Sequence, residues 1–457
     1  MNGNVRLYLA FTAAFRTFSS LTLMSILAVY VFLLSGRSNS MVGMVTGLNG
    51  LANVACAIPA GYLADRLSRQ ALLRIAAAIG AAATLATVIA LATNSIAMFF
   101  VFYALWGAFQ GIQAAPLSAL FADSVPTGAR SGIFTLRYAI NEGSTFMGPL
   151  VSIIFFSAFG DEWNMAHMRI VLAIGLFFGV VCCCQLLFFK DAVALGAESE
   201  AANLGALAAG AVPLPGSKSL LGTAADTGSW SDELHADSAL ATLSSDDEQQ
   251  EEESSDAAAH VSLIVPEADD MRPARTSCMG LFSPASVPYV IAISDLTFAM
   301  GAGLTISFFP LFFVSEYGMT PSGMSFVIML GSLATMASSA WAQRVSLIIG
   351  RVQTSIVFKI AGTACLIAMA IVQPMILVAA LYVGRVALQR APIPLDRSIV
   401  MDVVNKSTRG RWNTVESLGS VTFRGASTLG GLLIDATSYR TTFLVTAAIY
   451  VVATIAI

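Results

Sequence analysis

Apolar residues run in long blocks through most of the chain, separated by short polar stretches. A block of about twenty such residues, rising 1.5 Å each as a helix, crosses the hydrocarbon core of a bilayer. Blocks of this kind fall near 8–34, 41–60, 71–92, 96–121, 133–157 and 168–189. A second set falls near 285–314, 321–342, 353–372, 375–396, 412–434 and 440–457. The pattern predicts an all-α membrane protein with twelve transmembrane helices. The first block is too long for the apolar core of a signal peptide and reads as a span. The last is either just long enough to cross or cut short at residue 457.

Composition agrees with the pattern. The chain is 56% hydrophobic and 11% charged, where a soluble domain carries roughly a quarter charged residues. Its formal charge of −4 is unevenly spread. Residues 190–281 hold 17 of the 28 acids and 4 of the 24 bases, a net of −13, and the remainder is +9. That segment is rich in Ala, Ser and Gly and contains the run SDDEQQEEESSD. Low apolar content with high net charge predicts a disordered acidic linker, acting either as a solvated spacer or as a regulatory segment. It divides the chain into an N-terminal six-helix bundle, 1–189, and a C-terminal one, 282–457.

Short loops set orientation. With the N-terminus cytoplasmic, the inner side holds Arg6, Arg66, Arg69, Arg74, Arg130, Arg137, Arg344, Arg351, Lys359, Arg397, Lys406, Arg409 and Arg411. The outer side holds Arg37, Arg169 and Arg440. Thirteen against three places both termini and the linker in the cytoplasm. Five of the six cysteines lie in apolar runs and none forms a zinc pattern. The Cys182–Cys184 triplet reads as buried or lipid-facing thiols, with palmitoylation as the alternative.

The two halves repeat one another. Ala64, Asp65 and Arg66 correspond to Ala342, Gln343 and Arg344 at an offset of 278, and Gln110, Asp123 and Arg130 to Gln389, Asp402 and Arg409 at 279. Gly143 and Gly148 correspond to Gly425 and Gly430 at 282. Between the second and third blocks stands Gly61-Tyr-Leu-Ala-Asp65-Arg66-Leu-Ser68-Arg69-Gln70. It resembles the loop signature G-x-L-A-D-[RK]-x-G-R-[RK] of the major facilitator superfamily, with Ser68 in place of Gly and Gln70 in place of a base. That family's plan is two six-helix bundles in parallel repeat, related by a pseudo-twofold axis. The resemblance implies alternating-access secondary transport, with Gly61, Asp65, Arg66 and Arg69, and with Asp123 and Arg130 nearby, as a cytoplasmic gating latch. Gln343 has lost the acid of the second copy, which implies a one-sided latch. Gly143-Ser-Thr-Phe-Met-Gly148-Pro149 resembles the glycine–proline motif of the superfamily's drug:proton antiporters, but lacks its second glycine pair. Helix packing is the alternative reading of that segment.

Ionisable residues at mid-membrane are functional candidates. They are Arg16, Glu142, Asp295, Arg385 and Arg424, with Arg390 nearer the cytoplasmic end. Arg16 matches Asp295 at an offset of 279, and Glu142 matches Arg424 at 282, each with the sign of charge exchanged. The expectation is two buried ion pairs, Arg16–Glu142 and Asp295–Arg424. They are either structural or line the central cavity and re-form as it alternates. Arg385 is left without an acid and either wants an anion or snorkels or bonds backbone carbonyls. Gln110, Gln113, Asn141 and Gln389 would add neutral hydrogen bonds, and Tyr103 and Trp106 an aromatic wall. The set leans toward an anionic or zwitterionic solute.

Absences narrow the class. No G-x-x-x-x-G-K-[ST] loop, H-E-x-x-H or G-x-S-x-G occurs, so the expectation is a transporter and not an enzyme, with no cofactor, no metal and no nucleic-acid partner. The partners are a small solute, the lipid bilayer, and protons if Glu142 or Asp295 titrates. Acids locked in ion pairs would leave a uniporter or anion exchanger. The rivals are a non-transporting receptor or scaffold on the same fold, and a proton-coupled drug or metabolite exporter.

Overall fold

The computed structural model describes residues 2–23, 26–64, 67–125, 130–194, 287–396, 399 and 409–455. Among them every regular element is helical. The first half holds α1 (Gly3–Leu34), α2 (Asn39–Ala64), α3 (Arg69–Thr93), α4 (Ile96–Ser124), α5 (Arg130–Phe159) and α6 (Met165–Leu186). The second holds α7 (Val287–Thr305, continued as Phe309–Tyr317), α8 (Pro321–Ile349), α9 (Arg351–Ile371), α10 (Met375–Asp396), α11 (Arg409–Ala436) and α12 (Tyr439–Ile455). Ten of the described helices are long and apolar enough to span, and α11 and α12 complete the twelve expected from the hydrophobic blocks. The two sets of six form two bundles related by the pseudo-twofold axis. The expected linker, 190–281, lies outside the described residues from 195 onward. Lys190–Ala194 stay with the first half: Asn4 Nδ2 donates to the Lys190 carbonyl at 2.9 Å, and Asn2 Nδ2 to that of Val193 at 2.7 Å. The N-terminus therefore sits at the end where the linker departs, called here the linker end.

The first helix of each half is broken. In α1 a π turn covers Ser19–Leu23, and in α7 a 3₁₀ turn covers Ile306–Phe308. Neither break is at a proline, although Pro310 follows the second. Each break meets a glycine of the cross-packed helix. A Cβ on Gly148 of α5 would stand 2.6 Å from the Ser20 carbonyl carbon, and one on Gly430 of α11 would stand 2.7 Å from Leu304 Cα. These two glycines are repeat equivalents, so the repeat is a packing rule: a bare backbone on the fifth helix lets the first approach closely, at its break in α1 and just before it in α7. Close contact recurs between α2 and α4. A Cβ on Gly107 would stand 3.0 Å from the Asn49 carbonyl carbon, and Asn49 Nδ2 donates to the Tyr103 carbonyl at 2.8 Å.

Two equivalent struts hold the end opposite the linker. Arg169, near the start of α6, donates Nε to Tyr30 of α1 at 3.0 Å and Nη2 to Asn94, the C-cap of α3, at 2.6 Å. Arg440, at the start of α12, donates Nη2 to Tyr317 of α7 at 2.9 Å and Nη1 to the Val372 carbonyl, the C-cap of α9, at 2.9 Å. Arg440 thus satisfies a carbonyl that the α9 C-terminus leaves unpaired, while Arg169 bonds the side-chain oxygen of the α3 C-cap.

Among the described residues, hydrogen bonds between halves lie at this opposite end or at mid-depth. Asp435 accepts from Asn39 and Ser40, Asp161 from Ser322, Thr428 donates to the Gly43 carbonyl, and Arg424 meets Gln110.

Candidate functional site

Arg16 lies on the linker side of the break in α1, with an exposed side chain. Its Nε donates to Asn141 Oδ1 on α5, and Asn141 Nδ2 donates to Glu142 Oε1 at 2.9 Å. The expected direct pair Arg16–Glu142 is not made. The amide of Asn141 stands between, leaving the carboxylate near enough to act electrostatically on Arg16 but not to bind it. Arg137 and, from the other half, Arg390 act on Arg16 as like charges.

Arg424 reaches across the halves. It lies over Gly50 of α2, where a Cβ would stand 3.3 Å from the Arg424 Cγ and closer still to its Cβ. The missing side chain lets the guanidinium pass, and Nη2 donates to Gln110 Oε1 on α4 at 2.7 Å. The Nη1 of Arg424 is buried without a hydrogen-bond partner. The expected Asp295–Arg424 pair is therefore replaced by an arginine–amide bond between the two bundles. Asp295 has an exposed side chain on α7. Equivalent positions carry opposite charges, but each long arginine takes the neutral amide nearest its own reach.

Three further expectations change. Arg385, on α10, is 2% exposed. Its Nη2 donates to Tyr450 at 3.2 Å and its guanidinium lies 4.5 Å from the Phe309 ring centre. It is enclosed among α7, α10 and α12, with a ring face and a phenol as its neighbours and its Nε buried without a hydrogen-bond partner, and it is not an anchor facing the cavity. Trp106 is fully buried against Phe18 at 4.4 Å and Phe109 at 4.9 Å between ring centres. Tyr103 is buried at the α2–α4 contact. Both rings fill the first bundle and line no cavity. Gln113 is buried with Oε1 unpartnered, and Gln389 packs on Gly362 with Nε2 unpartnered. The residues brought together are thus Arg16, Asn141 and Glu142 on one side, and Gln110 with Arg424 between the halves.

At the linker end, Arg69 forms an ion pair with Asp123. Gly61 has open space around it. Asp65 and Arg66 lie outside the described residues, as does the side chain of Arg130. Lys359, read in the sequence as a loop base, is 5% exposed within α9 and pairs with Asp396 at 3.0 Å, with Phe298 beneath its ammonium at 4.9 Å.

Comparison with known proteins fits this architecture. A curated relative, the uncharacterized MFS-type transporter YqjV of Bacillus subtilis (strain 168), is 27% identical over 179 residues. That match covers 39% of this chain and only 41% of the relative's length. The crystal structure of nucleoside transporter NupG matches with a TM-score of 0.63 at 12% identity, covering 100% of this chain and 98% of that one. A bacterial homologue of the iron transporter ferroportin, in an inward-facing state, matches with a TM-score of 0.63 at 10% identity over 99% and 96% of the two chains. A bacterial homologue of the lysosomal transporter Spinster, inward-facing and occupied, gives 0.61 at 12% over 99% and 94%. The model of the Major Facilitator Superfamily matches residues 9–411. With two broken-helix bundles in repeat and a family match over most of its length, this chain is a member of the major facilitator superfamily and has that family's multi-pass membrane architecture.

Proposed function

We propose that this protein carries an organic anion or zwitterion by alternating access as a secondary transporter. The observation that carries this reading is the pair of mid-depth guanidiniums. Among the described residues neither Arg16 nor Arg424 has a carboxylate in ion-pair contact, and Arg424 keeps one buried nitrogen with no hydrogen-bond partner. A guanidinium with a buried, unpaired nitrogen, as in Arg424, gains most from a carboxylate or phosphate arriving with the solute. Glu142 is held through Asn141 and not by a guanidinium. The transporters of similar fold are named for a nucleoside and for iron, so cargo is decided by side chains and not by the fold.

Orientation belongs to the same proposal. In the sequence, the bases flanking the spans are more numerous on the side of the N-terminus and linker than on the other, which favours a cytoplasmic linker end. Bonds between the halves at the opposite end then correspond to an inward-open state.

The test is thermal stabilisation of purified protein by a panel of organic anions, cations and neutral solutes. Anions should raise the melting temperature of the wild type, and Arg424→Gln should abolish the rise. Arg385→Ala should lower the baseline melt and keep the rise. Stabilisation by cations alone, or an anion response that survives Arg424→Gln, overturns the reading. No response to any solute favours the receptor or scaffold.

A further inference from the structure

We propose that two carboxylates outside the central site, Asp161 and Asp435, form a twin latch that holds the end opposite the linker closed. Each caps the N-terminus of a helix in the other half. The inference rests on the alternating-access reading and adds the residues that set its conformational balance.

The geometry repeats twice. Asp435, at the end of α11, accepts from the backbone N–H of Asn39 at 3.1 Å and of Ser40 at 2.7 Å, and from the Ser40 hydroxyl at 2.6 Å. The side chains of Asn39 at 2.8 Å and Ser38 at 3.3 Å complete its shell. These groups open α2, so the carboxylate does for α2 what an N-cap side chain does within one helix. Asp161, in the loop after α5, accepts from the Ser322 N–H at 2.8 Å and from the Ser322 hydroxyl, in the first turn of α8. Ser40 and Ser322 stand at an offset of 282, the spacing that also relates Gly148 to Gly430.

An aromatic donor accompanies each carboxylate. Tyr439 donates to Asn39 Oδ1 at 2.7 Å, and Trp163 donates Nε1 to the Met319 carbonyl at 2.7 Å. Each latch therefore joins the region where the fifth helix of one half ends to the start of the second helix of the other. All of these bonds cross between the halves, so all must break for that end to open. A helix N-terminus presents free N–H groups and positive partial charge, so the carboxylate is the part that water replaces least well. Among the described residues, every hydrogen bond to either carboxylate comes from an amide or a hydroxyl.

The test uses spin labels at Arg37→Cys and Thr437→Cys across the opposite end, and at Arg74→Cys and Val352→Cys across the linker end, in otherwise cysteine-free full-length protein in nanodiscs. Distances are measured without substrate, independently of solute identity. Asp161→Ala and Asp435→Ala should each raise the open-to-closed ratio at the opposite end about tenfold, and the double variant about a hundredfold, since the sites are separate. The linker-end distance should shorten in step. Asp435→Asn, which keeps one acceptor oxygen, should fall between. Size-exclusion profiles and melting curves show that each variant is folded. A wild type that samples both states while the alanine variants leave the ratio unchanged overturns the latch and spares alternating access. One fixed distance at both ends in wild type and variants overturns both.

Discussion

Gly148→Ala should destabilise the protein, while Gly143→Ala, five residues earlier on the same helix, should not. A Cβ at 148 would stand 2.6 Å from the Ser20 carbonyl carbon and 2.7 Å from the Leu21 nitrogen. Carbon contacts settle at about 3.5–4.0 Å, so α1 would have to retreat by about 1 Å. The obstacle is backbone inside a helix break, and no rotamer change relieves it. Overpacking of this kind costs about 1–3 kcal/mol. At Gly143 nothing lies within 4 Å, and alanine is the better helix former by about 1 kcal/mol. The second half offers the same contrast: a Cβ at Gly430 would stand 2.7 Å from Leu304 Cα, and Gly425 has nothing within 4 Å. Melting of the four single variants in detergent, followed by intrinsic fluorescence, should sort them into two pairs. Gly148→Ala and Gly430→Ala should melt below the wild type, and Gly143→Ala and Gly425→Ala at or above it. Because Ser20 is one turn beyond Arg16, Gly148→Ala should also weaken stabilisation by the solute. Four variants that behave alike would refute the claim that the glycine repeat serves the helix breaks.

Other outcomes follow from single contacts. Lys359→Met should cost about 3–5 kcal/mol by leaving Asp396 unpaired, and Lys359→Met with Asp396→Leu should melt well above the single variant; equal melting of the two refutes a buried pair. Burial pushes the Asp161 carboxyl up, but hydrogen bonds from the Ser322 hydroxyl and amide and from Thr320 outweigh it and hold the group below its ordinary value. Because the closed-state value is the depressed one, its share of the latch is complete above about pH 4 and lost only as the pH falls through that depressed value. Spin-label distances across the opposite end should therefore be the same at pH 8 and pH 5, and a lengthening near pH 6 contradicts the assignment.

Much of the fold is legible in the sequence because the bilayer enforces it. Twenty apolar residues in a row have few alternatives, and the repeat of Gly143 and Gly148 as Gly425 and Gly430 survives because backbone contact tolerates no side chain. The site is less legible. Sequence gives the sign of a charge but not the reach of its side chain. Arg424 finds Gln110 in the other half because Gly50 clears its path, and Asn141 intercepts Arg16 before Glu142. Arg385 carries the same letter as Arg16, yet aromatic rings from α7 and α12 enclose it. Asp161 and Asp435 escape notice because acids at span ends look like ordinary loop residues. Only contact with a helix start in the other half distinguishes them. The break in α1 left a trace in the hydroxyl run Thr17, Ser19, Ser20 and Thr22 within an apolar block.

The most direct measurement of the central claim is solute-evoked current from purified protein in proteoliposomes on a solid-supported membrane, with wild type and Arg424→Gln side by side. An organic anion that stabilises the protein should evoke a saturable current in the wild type and none in Arg424→Gln. Currents evoked by organic cations and not by anions, or an anion current unchanged by Arg424→Gln, would contradict transport of an anion through the site that Arg16 and Arg424 define.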